Sequence, residues 1–190
     1  MNRVLKLLPK GATHPALREI IRLELEHDVS IMAVERASGR VVGAAVNSDL
    51  TPAYKEVRAG LFQQLMTDEP KWSAFSLLMA RIYKDDLFGV LAVDRICDYH
   101  YLSILASHQG QKLGRPLAKL SDSRAWEMGF PAAYALATAD ASKALLSPLG
   151  YRVHHEVDFH DVHFQGQPLV ADPGTKLRVM VKLRPKKDQI

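Results

Sequence analysis

The sequence predicts one α/β domain, and three observations support that class. Apolar runs typical of strands alternate with amphipathic helical patterns along a chain that is 47% hydrophobic and 24% charged. A strand, a turn, a helix, a second strand and a second helix follow one another between positions 98 and 150, as in a β-α-β-α unit. The length of 190 residues suits a single hydrophobic core. We therefore expect one domain over residues 1–185 and a short tail over 186–190.

The first part of the chain predicts a helix followed by a hairpin. Apolar residues at helical spacing mark an amphipathic helix over 14–27. Strands are expected over 30–35 and 40–47, and Gly39 supplies the positive φ of the turn between them.

Two further helices are expected as an insertion before the central strand. Thr51 is a typical N-cap and precedes Pro52, which suits the first helical position. The motif Asp68-Glu69-Pro70 is interpreted as a second start of this kind. The apolar stripes of the two helices are, in order, Val57, Leu61 and Leu65, then Phe75, Leu78, Met79 and Ile82.

The central unit begins with an apolar run over 99–105, which predicts a buried strand. A polar turn over 106–112 and a helix over 113–128 follow, then a strand over 132–137. We expect Asp140 to cap the next helix. A helix that starts after such a turn presents free backbone N–H groups, which favour an anion.

Alternating residues predict strands over 151–159 and 176–183, with a loop over 163–175 between them. Four histidines lie in or beside the first of these strands: His154, His155, His160 and His163. A straight strand spreads them too far apart for one tetrahedral ion. We therefore expect no metal site.

Charge and cysteine content limit the possible partners. The net charge is +4 and the basic residues are spread along the chain, so the sequence does not predict a nucleic-acid interface. No apolar run reaches the length of a membrane span, and we expect no membrane association. Cys97 is the single cysteine, which favours a reducing, cytoplasmic setting.

At this level the chain resembles the GNAT superfamily of N-acetyltransferases, and within it the insect-type arylalkylamine N-acetyltransferases. The order and spacing of several short motifs support the resemblance better than any single one. These motifs are Met32-Ala33-Val34 with Gly39-Arg40-Val41-Val42-Gly43, Val93-Asp94-Arg95-Ile96 with Leu102-Ser103-Ile104, Ser142 with Ser147-Pro148-Leu149-Gly150-Tyr151, and Lys176-Leu177-Arg178-Val179-Met180.

The resemblance implies a mixed, mostly antiparallel sheet with helices on both faces and a splayed central strand pair. It also implies direct transfer of an acetyl group from acetyl-CoA, as co-substrate, to a primary amine of the arylalkylamine type. We expect a monomer or a weak homodimer. The residues that the resemblance implies for acetyl-CoA are Leu102, Ser103, Ile104, Gln109, Gly110, Gln111, Lys112, Leu113, Gly114 and Ser142.

The phosphate-binding turn departs from the superfamily pattern. Of the matching positions Ser107, Gly110 and Lys112, only Gly110 fits the pattern. The Cβ of Lys112 is expected to crowd the diphosphate or distort the turn, whereas its ammonium group would attract the anion.

The catalytic residues follow partly from the resemblance. The resemblance leads us to expect that the segment with the family's catalytic glutamate is absent. His100 is then the candidate general base, on the same side of its strand as Leu102 and Ile104 by the two-residue period. Asp98 is expected to orient it. Ser142 is the candidate hydroxyl beside the sulfur, with Ser147 as a weaker one.

Two other classes of function stay open on the sequence. The missing segment and the altered turn also fit a catalytically silent GNAT-like domain that binds CoA or a protein partner. A basic interaction module for nucleic acid is the third possibility.

Overall fold

One six-stranded sheet with helices packed against it organises the computed structural model. The structure describes residues 14–68, 72–82, 85–168 and 174–185. No helix in these ranges combines the length and the apolar character needed to cross a membrane. In chain order the helices and strands are α1 (Pro15–Leu25), β1 (Ile31–Val34), β2 (Val41–Leu50), α2 (Pro52–Asp68), α3 (Trp72–Ile82), α4 (Leu87–Leu91), β3 (Ile96–Ile104), α5 (Gly114–Glu127), β4 (Ala132–Ala137), α6 (Asp140–Leu146), β5 (Arg152–Asp158), β6 (His163–Phe164), β7 (Gln167–Pro168) and β8 (Lys176–Leu183).

The strand order across the sheet is β1-β2-β3-β4-β8-β5. Every neighbouring pair is antiparallel except β3 and β4, which run parallel. The predicted class, a mixed and mostly antiparallel sheet with helices, is therefore confirmed. In the predicted loop before β8, β6 and β7 form a separate small hairpin.

Local sequence signals position the first helices and strands as expected. Gly39 has φ of 68° in the turn between β1 and β2. At the start of α2 the amide of Tyr54 donates to Oγ1 of Thr51 at 3.2 Å, as the N-cap prediction requires. The β1–β2 hairpin joins the central strand β3 through the pairing of β2 with β3, and α2 contacts β3 through Arg58 and Asp98.

The buried face of α2 differs from the prediction. Val57 is 53% exposed, whereas Leu65 is fully buried and Arg58 is 6% exposed. The helix is therefore rotated so that a charged residue points inward. Arg58 finds carboxylate partners there, as described below, and this compensates for the cost of burying its charge.

Local structure differs from the prediction at two other places, and a third prediction concerns residues that the structure does not describe. Helix α4 was not predicted, and Asp86 caps it through the amides of Phe88 and Gly89. Asp140 is the first residue of α6 rather than its cap, and its carboxylate lies 2.8 Å from Nη2 of Arg178. The motif Asp68-Glu69-Pro70 and the tail over 186–190 lie outside the residues whose side chains the structure describes.

The core lies on both faces of the sheet. Helices α5 and α6 cover one face, where Ala118, Ala125, Phe130, Leu146 and Met180 pack around β4. Helices α3 and α4 cover the opposite face through a second group of buried side chains: Leu78, Ile82, Leu87, Ile96, Tyr134, Phe159 and Leu177. Helix α1 packs with α2 on this second face, where Ala16 meets Leu65.

A buried carboxylate joins α5 to the sheet. Asp122 accepts hydrogen bonds from the hydroxyls of Tyr99 at 2.6 Å and Tyr151 at 2.9 Å, and from Nζ of Lys182 at 2.6 Å. We call these four residues the Asp122 cluster. Both oxygens of Asp122 have donors, so the charge is buried with its hydrogen-bonding capacity used.

Candidate active site

The two parallel strands separate halfway along their length. Residues 97–99 of β3 pair with residues 133–135 of β4, and the pairing stops at Tyr99 and Ala135. Beyond that point β3 stays paired with β2 as far as Ile104, and β4 stays paired with β8 as far as Ala137. The backbone of β3 beyond Tyr99 therefore faces a gap on its β4 side, which we call the notch.

A cavity of about 230 Å³ lies in the notch. Its lining includes residues from β2, β3, α5, β4 and α6. Three of the predicted site residues line it together: His100, Leu102 and Ser142. The apolar part of the lining comes mainly from Ala45, Ala118, Leu136, Leu145 and Leu146.

The turn that follows β3 lies beside this cavity. A Cβ on Gly114, the first residue of α5, would lie 3.4 Å from Cδ2 of Leu102. The turn is fixed to the hairpin by the amide of Leu105, which donates to the carbonyl of Val42 at 2.9 Å. Side chains add two contacts, between Nε2 of His108 and Glu35 at 3.2 Å and from Gln109 to the carbonyl of Ile104 at 3.3 Å.

Backbone amides at this turn are free to bind a ligand. No side chain caps the start of α5. Within the described residues, the amides over 110–114 have no hydrogen-bond acceptor. Unpaired amides at the N-terminus of a 14-residue helix favour the binding of an anion. These amides lie next to the notch.

Lys112 does not distort the turn. Its φ is 59°, so its backbone adopts the left-handed conformation that glycine would take, and Gly110 has φ of 81°. A side chain in this region costs about 1 kcal/mol. The side chain of Lys112 is exposed, so it extends away from the core and leaves the turn in its glycine-like form.

A β-bulge in β3 changes the orientation of the predicted base. Val46 pairs with Tyr101 and Asn47 pairs with Tyr99, so His100 is an extra residue that has no partner on β2. The rings of His100 and Tyr101 stack with centroids 4.1 Å apart, although consecutive residues of a regular strand point to opposite faces.

The expectation that His100 shares a face with Leu102 and Ile104 is therefore wrong. Leu102 and Ile104 point toward α5, where they approach Gly114 and Leu117. His100 instead contacts Glu24 of α1, on the other face of the sheet. The bulge breaks the two-residue period on which the expectation relied.

His100 belongs to a buried group of charged residues. Its Nδ1 is hydrogen-bonded to Oε1 of Glu24, which is fully buried. Nη1 of Arg58 lies 2.5 Å from Oδ2 of Asp98 and 3.9 Å from Oε1 of Glu24. We call Glu24, Arg58, Asp98 and His100 the Glu24 cluster. The carboxylate that orients His100 is Glu24, whereas the expected Asp98 is bound to Arg58.

Aromatic residues surround this cluster. Burial and the negative charge of Glu24 raise the pKa of Tyr54 to about 12 and raise the pKa of Tyr101 further. His27 packs its ring edge-on against Tyr54 at 4.6 Å. Within the described residues, three buried polar atoms here have no hydrogen-bond partner: Oε2 of Glu24, Nδ1 of His27 and Oη of Tyr54.

The two candidate serines differ in their surroundings. Ser142 lines the cavity and is half-buried in the first turn of α6. Ser147 is exposed, and its hydroxyl donates to the carbonyl of Lys143 at 2.8 Å. Ser142 is thus the serine that a ligand in the notch would meet.

The histidines near β5 do not come together. His154 lies 3.4 Å from Asp85, His160 donates its amide to Asp158 at 2.9 Å, and His163 is exposed on β6. Among the described residues, no group of three potential metal ligands is found.

Glu24 and Arg58 were not among the functional residues predicted from the sequence. Glu24 lies four residues after the buried Ile20, so it belongs to the apolar stripe of α1. Arg58 lies seven residues before the buried Leu65 and shares its helix face. A charged residue on the buried stripe of a helix needs a partner, and this signal was readable from the sequence.

Neither a protein-family model nor a curated protein sequence matches the chain. Solved structures do. Arylalkylamine N-acetyltransferase 2 from Aedes aegypti is 28% identical with a TM-score of 0.82, and the match covers 96% of this chain and 85% of that one. The polyamine N-acetyltransferase of Drosophila melanogaster, which forms N-acetylagmatine, is 18% identical with a TM-score of 0.78, over 95% of this chain and 87% of that one.

A more distant neighbour shows the same fold with a ligand. The NatC complex bound to a Gag peptide and CoA matches with a TM-score of 0.55 and 11% identity, over 96% of this chain and 89% of that one. The predicted resemblance is confirmed: the chain has the fold of the GNAT acetyltransferases, whose co-substrate is acetyl-CoA, and it is similar to the insect arylalkylamine and polyamine N-acetyltransferases.

Proposed function

We propose that this protein is an N-acetyltransferase that moves an acetyl group from acetyl-CoA to a primary amine, and that the amine is an arylalkylamine. The observation that carries the proposal is the notch between β3 and β4. The notch contains a cavity lined by His100 and Ser142, and beside it the backbone of β3 beyond Tyr99 is not paired with β4. The similarity to the Aedes aegypti arylalkylamine enzyme at 28% identity supports the class of amine.

The coenzyme would bind mainly through the main chain. Its diphosphate meets the free amides over 110–114, and its pantetheine arm lies along Leu102, Ser103 and Ile104 where β4 has separated. Because the ligand contacts backbone amides, Ser107 and Lys112 can replace the usual turn residues. The exposed ammonium group of Lys112 adds a favourable charge beside the diphosphate.

The reaction needs a base, an oxyanion site and a donor for the sulfur. The amine nitrogen attacks the thioester carbonyl while His100 takes one of its protons through Nε2. Backbone N–H groups of β3 stabilise the oxyanion of the tetrahedral intermediate. As the intermediate collapses, the C–S bond breaks and Ser142 donates a hydrogen bond to the departing thiolate. The thiolate is protonated to CoA by the proton that His100 took from the amine, passed directly or through water, which returns His100 to its neutral form.

Calorimetry tests the binding step. We expect one molecule of acetyl-CoA to bind per chain with a Kd below about 1 mM, in the usual range of enzyme substrates. Absence of binding heat at that concentration would refute the proposal at its first step.

A thiol-release assay tests transfer. Tryptamine, dopamine and spermidine, each supplied with acetyl-CoA, separate an arylalkylamine enzyme from a polyamine enzyme. We expect faster release with the two arylalkylamines. A chain that binds acetyl-CoA and releases no thiol with any amine would be a silent binding module.

A further inference from the structure

We propose that Glu24 is the positioning residue for His100, so that α1 and β3 together form a carboxylate–imidazole dyad. This inference rests on the proposed function, because it assigns a partner to the proposed base. Nothing in the sequence motifs points to Glu24, which lies 76 residues before His100.

The contact between the two side chains defines the state of the ring. Oε1 of Glu24 can only accept a hydrogen bond as a carboxylate, so Nδ1 of His100 must be its donor. The lone pair of the neutral ring is then on Nε2. Glu24 is fully buried, so water does not compete for the bond and the ring has one orientation.

Charge within the cluster favours the same role. Arg58 contacts Asp98 at 2.5 Å and Glu24 only at 3.9 Å, so its positive charge is largely compensated by Asp98. Glu24 remains as the negative charge beside the ring, and an imidazolium formed by proton transfer would be stabilised there. Tyr101 stacks on the ring of His100. Tyr54 is close enough to Glu24 to feel its charge, and His27 packs against Tyr54.

The free oxygen of Glu24 is a further sign. Oε2 has no hydrogen-bond partner in the described residues, although the side chain is completely buried. A buried carboxylate that serves only the fold has donors on both oxygens, as Asp122 does. A buried carboxylate oxygen without a hydrogen-bond donor is therefore typical of a functional site rather than of a residue that only stabilises the fold.

A double-mutant cycle tests the dyad with full-length protein, acetyl-CoA and tryptamine. We expect Glu24→Gln to lower kcat about tenfold or more, and His100→Gln to lower it about 100-fold. The double variant should match His100→Gln alone, because Glu24 acts through His100. The matched control is Glu26→Gln at the C-cap of the same helix, which removes an exposed carboxylate and should change kcat less than about twofold.

Two further measurements distinguish positioning from a merely structural role. In Glu24→Gln the acidic limb of the pH–rate profile should move to lower pH, because a protonated ring has lost its carboxylate. Nitrogen-15 spectra should show His100 protonated on Nδ1 in the unmodified protein and in Glu26→Gln, and should show that preference lost in Glu24→Gln. The second readout needs no activity.

The outcomes are separable. An active protein whose Glu24→Gln variant keeps its kcat, or whose double variant shows the product of both losses, overturns the dyad and leaves the proposed function intact. A protein that releases no thiol with any amine overturns both. If Glu24→Gln does not fold, Glu24→Asp keeps the charge but draws the carboxylate back from Nδ1, and an unchanged kcat there overturns the dyad.

Discussion

Two buried carboxylate clusters lie on opposite faces of β3, and they are satisfied to different degrees. The Asp122 cluster gives its carboxylate three donors at 2.6–2.9 Å. In the Glu24 cluster, Glu24 contacts His100 with one oxygen and leaves the other without a partner among the described residues. Both carboxylates are buried, and each cluster contributes one residue to the cavity lining: Tyr99 from the Asp122 cluster and His100 from the Glu24 cluster.

The difference separates a stabilising cluster from a reactive one. A fully hydrogen-bonded buried charge stabilises one arrangement of the chain, so removing it should lower the free energy of unfolding. An incompletely bonded charge beside a titratable ring can orient that ring and stabilise it when it takes up a proton, so removing the charge should lower the rate. We therefore expect substitutions in the Asp122 cluster to change mainly stability, and substitutions in the Glu24 cluster to change mainly the rate.

The largest expected effect is on rate, at His100. His100→Gln should lower kcat about 100-fold, the usual contribution of a general base, with little change in the KM for acetyl-CoA. Steady-state thiol release measures both constants. His163→Gln, on an exposed position of β6, is the control and should be unaffected. A His100→Gln variant with normal kcat at every pH would remove His100 as the base.

The next effect is on stability, at Asp122. Asp122→Asn leaves the ammonium of Lys182 without its carboxylate, and the free energy of unfolding should fall by about 3 kcal/mol. Urea unfolding measures this. The kcat of the folded protein should change less than about threefold. A large loss of kcat at unchanged stability would erase the distinction between the clusters.

A smaller effect is expected at the turn. Lys112→Gly should leave the free energy of unfolding unchanged or raise it by about 1 kcal/mol, since glycine adopts a positive φ without strain. Lys119→Gly, at an exposed position inside α5, should lower it by about 1 kcal/mol. Equal destabilisation by both substitutions would contradict the left-handed conformation of Lys112.

The smallest effect concerns the ionisation in alkali of Tyr54, which lies beside the Glu24 cluster, and of Tyr99 and Tyr151 in the Asp122 cluster. Burial and the charge of Glu24 raise the pKa of Tyr54 to about 12, and burial with Asp122 raises the pKa of Tyr99 and Tyr151 further. A raised tyrosine pKa favours the neutral phenol of the folded chain. This contribution to stability is complete below the ordinary value of 10.0 and is lost as the pH rises toward 12.

Phenolate absorbance during an alkaline titration measures the order of ionisation. We expect Tyr54 to ionise before Tyr99 and Tyr151 do. In Tyr54→Phe the ionisation step near pH 12 should disappear, and the free energy of unfolding should decline less between pH 10 and 12. Simultaneous ionisation of all three would show that the clusters do not differ.

Local signals in the sequence predicted most of the fold. The bounds of β4 and β8 agree with the predicted strands, because both are regular and largely buried. The start of α2 follows from Thr51 and Pro52. These features depend on neighbouring residues only, so periodicity and capping preferences suffice to find them.

The arrangement of the Glu24 cluster was less accessible from sequence. A bulge at His100 inverts the faces of the residues that follow, and bulges have no reliable sequence pattern when no glycine marks them. The partnership of Glu24 with His100 joins positions far apart in the chain, which periodicity within one helix cannot reveal. Only the charge on a buried stripe of α1 hinted at it.

The central claim is that acetyl-CoA binds in the notch, and a comparison of two tryptophan variants by calorimetry tests it most directly. Ser142→Trp puts an indole at the cavity wall, whereas Ser147→Trp adds the same ring at an exposed site five residues away. We expect Ser142→Trp to weaken acetyl-CoA binding at least about tenfold, or about 1.4 kcal/mol, and Ser147→Trp to leave it unchanged. Equal affinity in both variants would contradict the notch as the binding site.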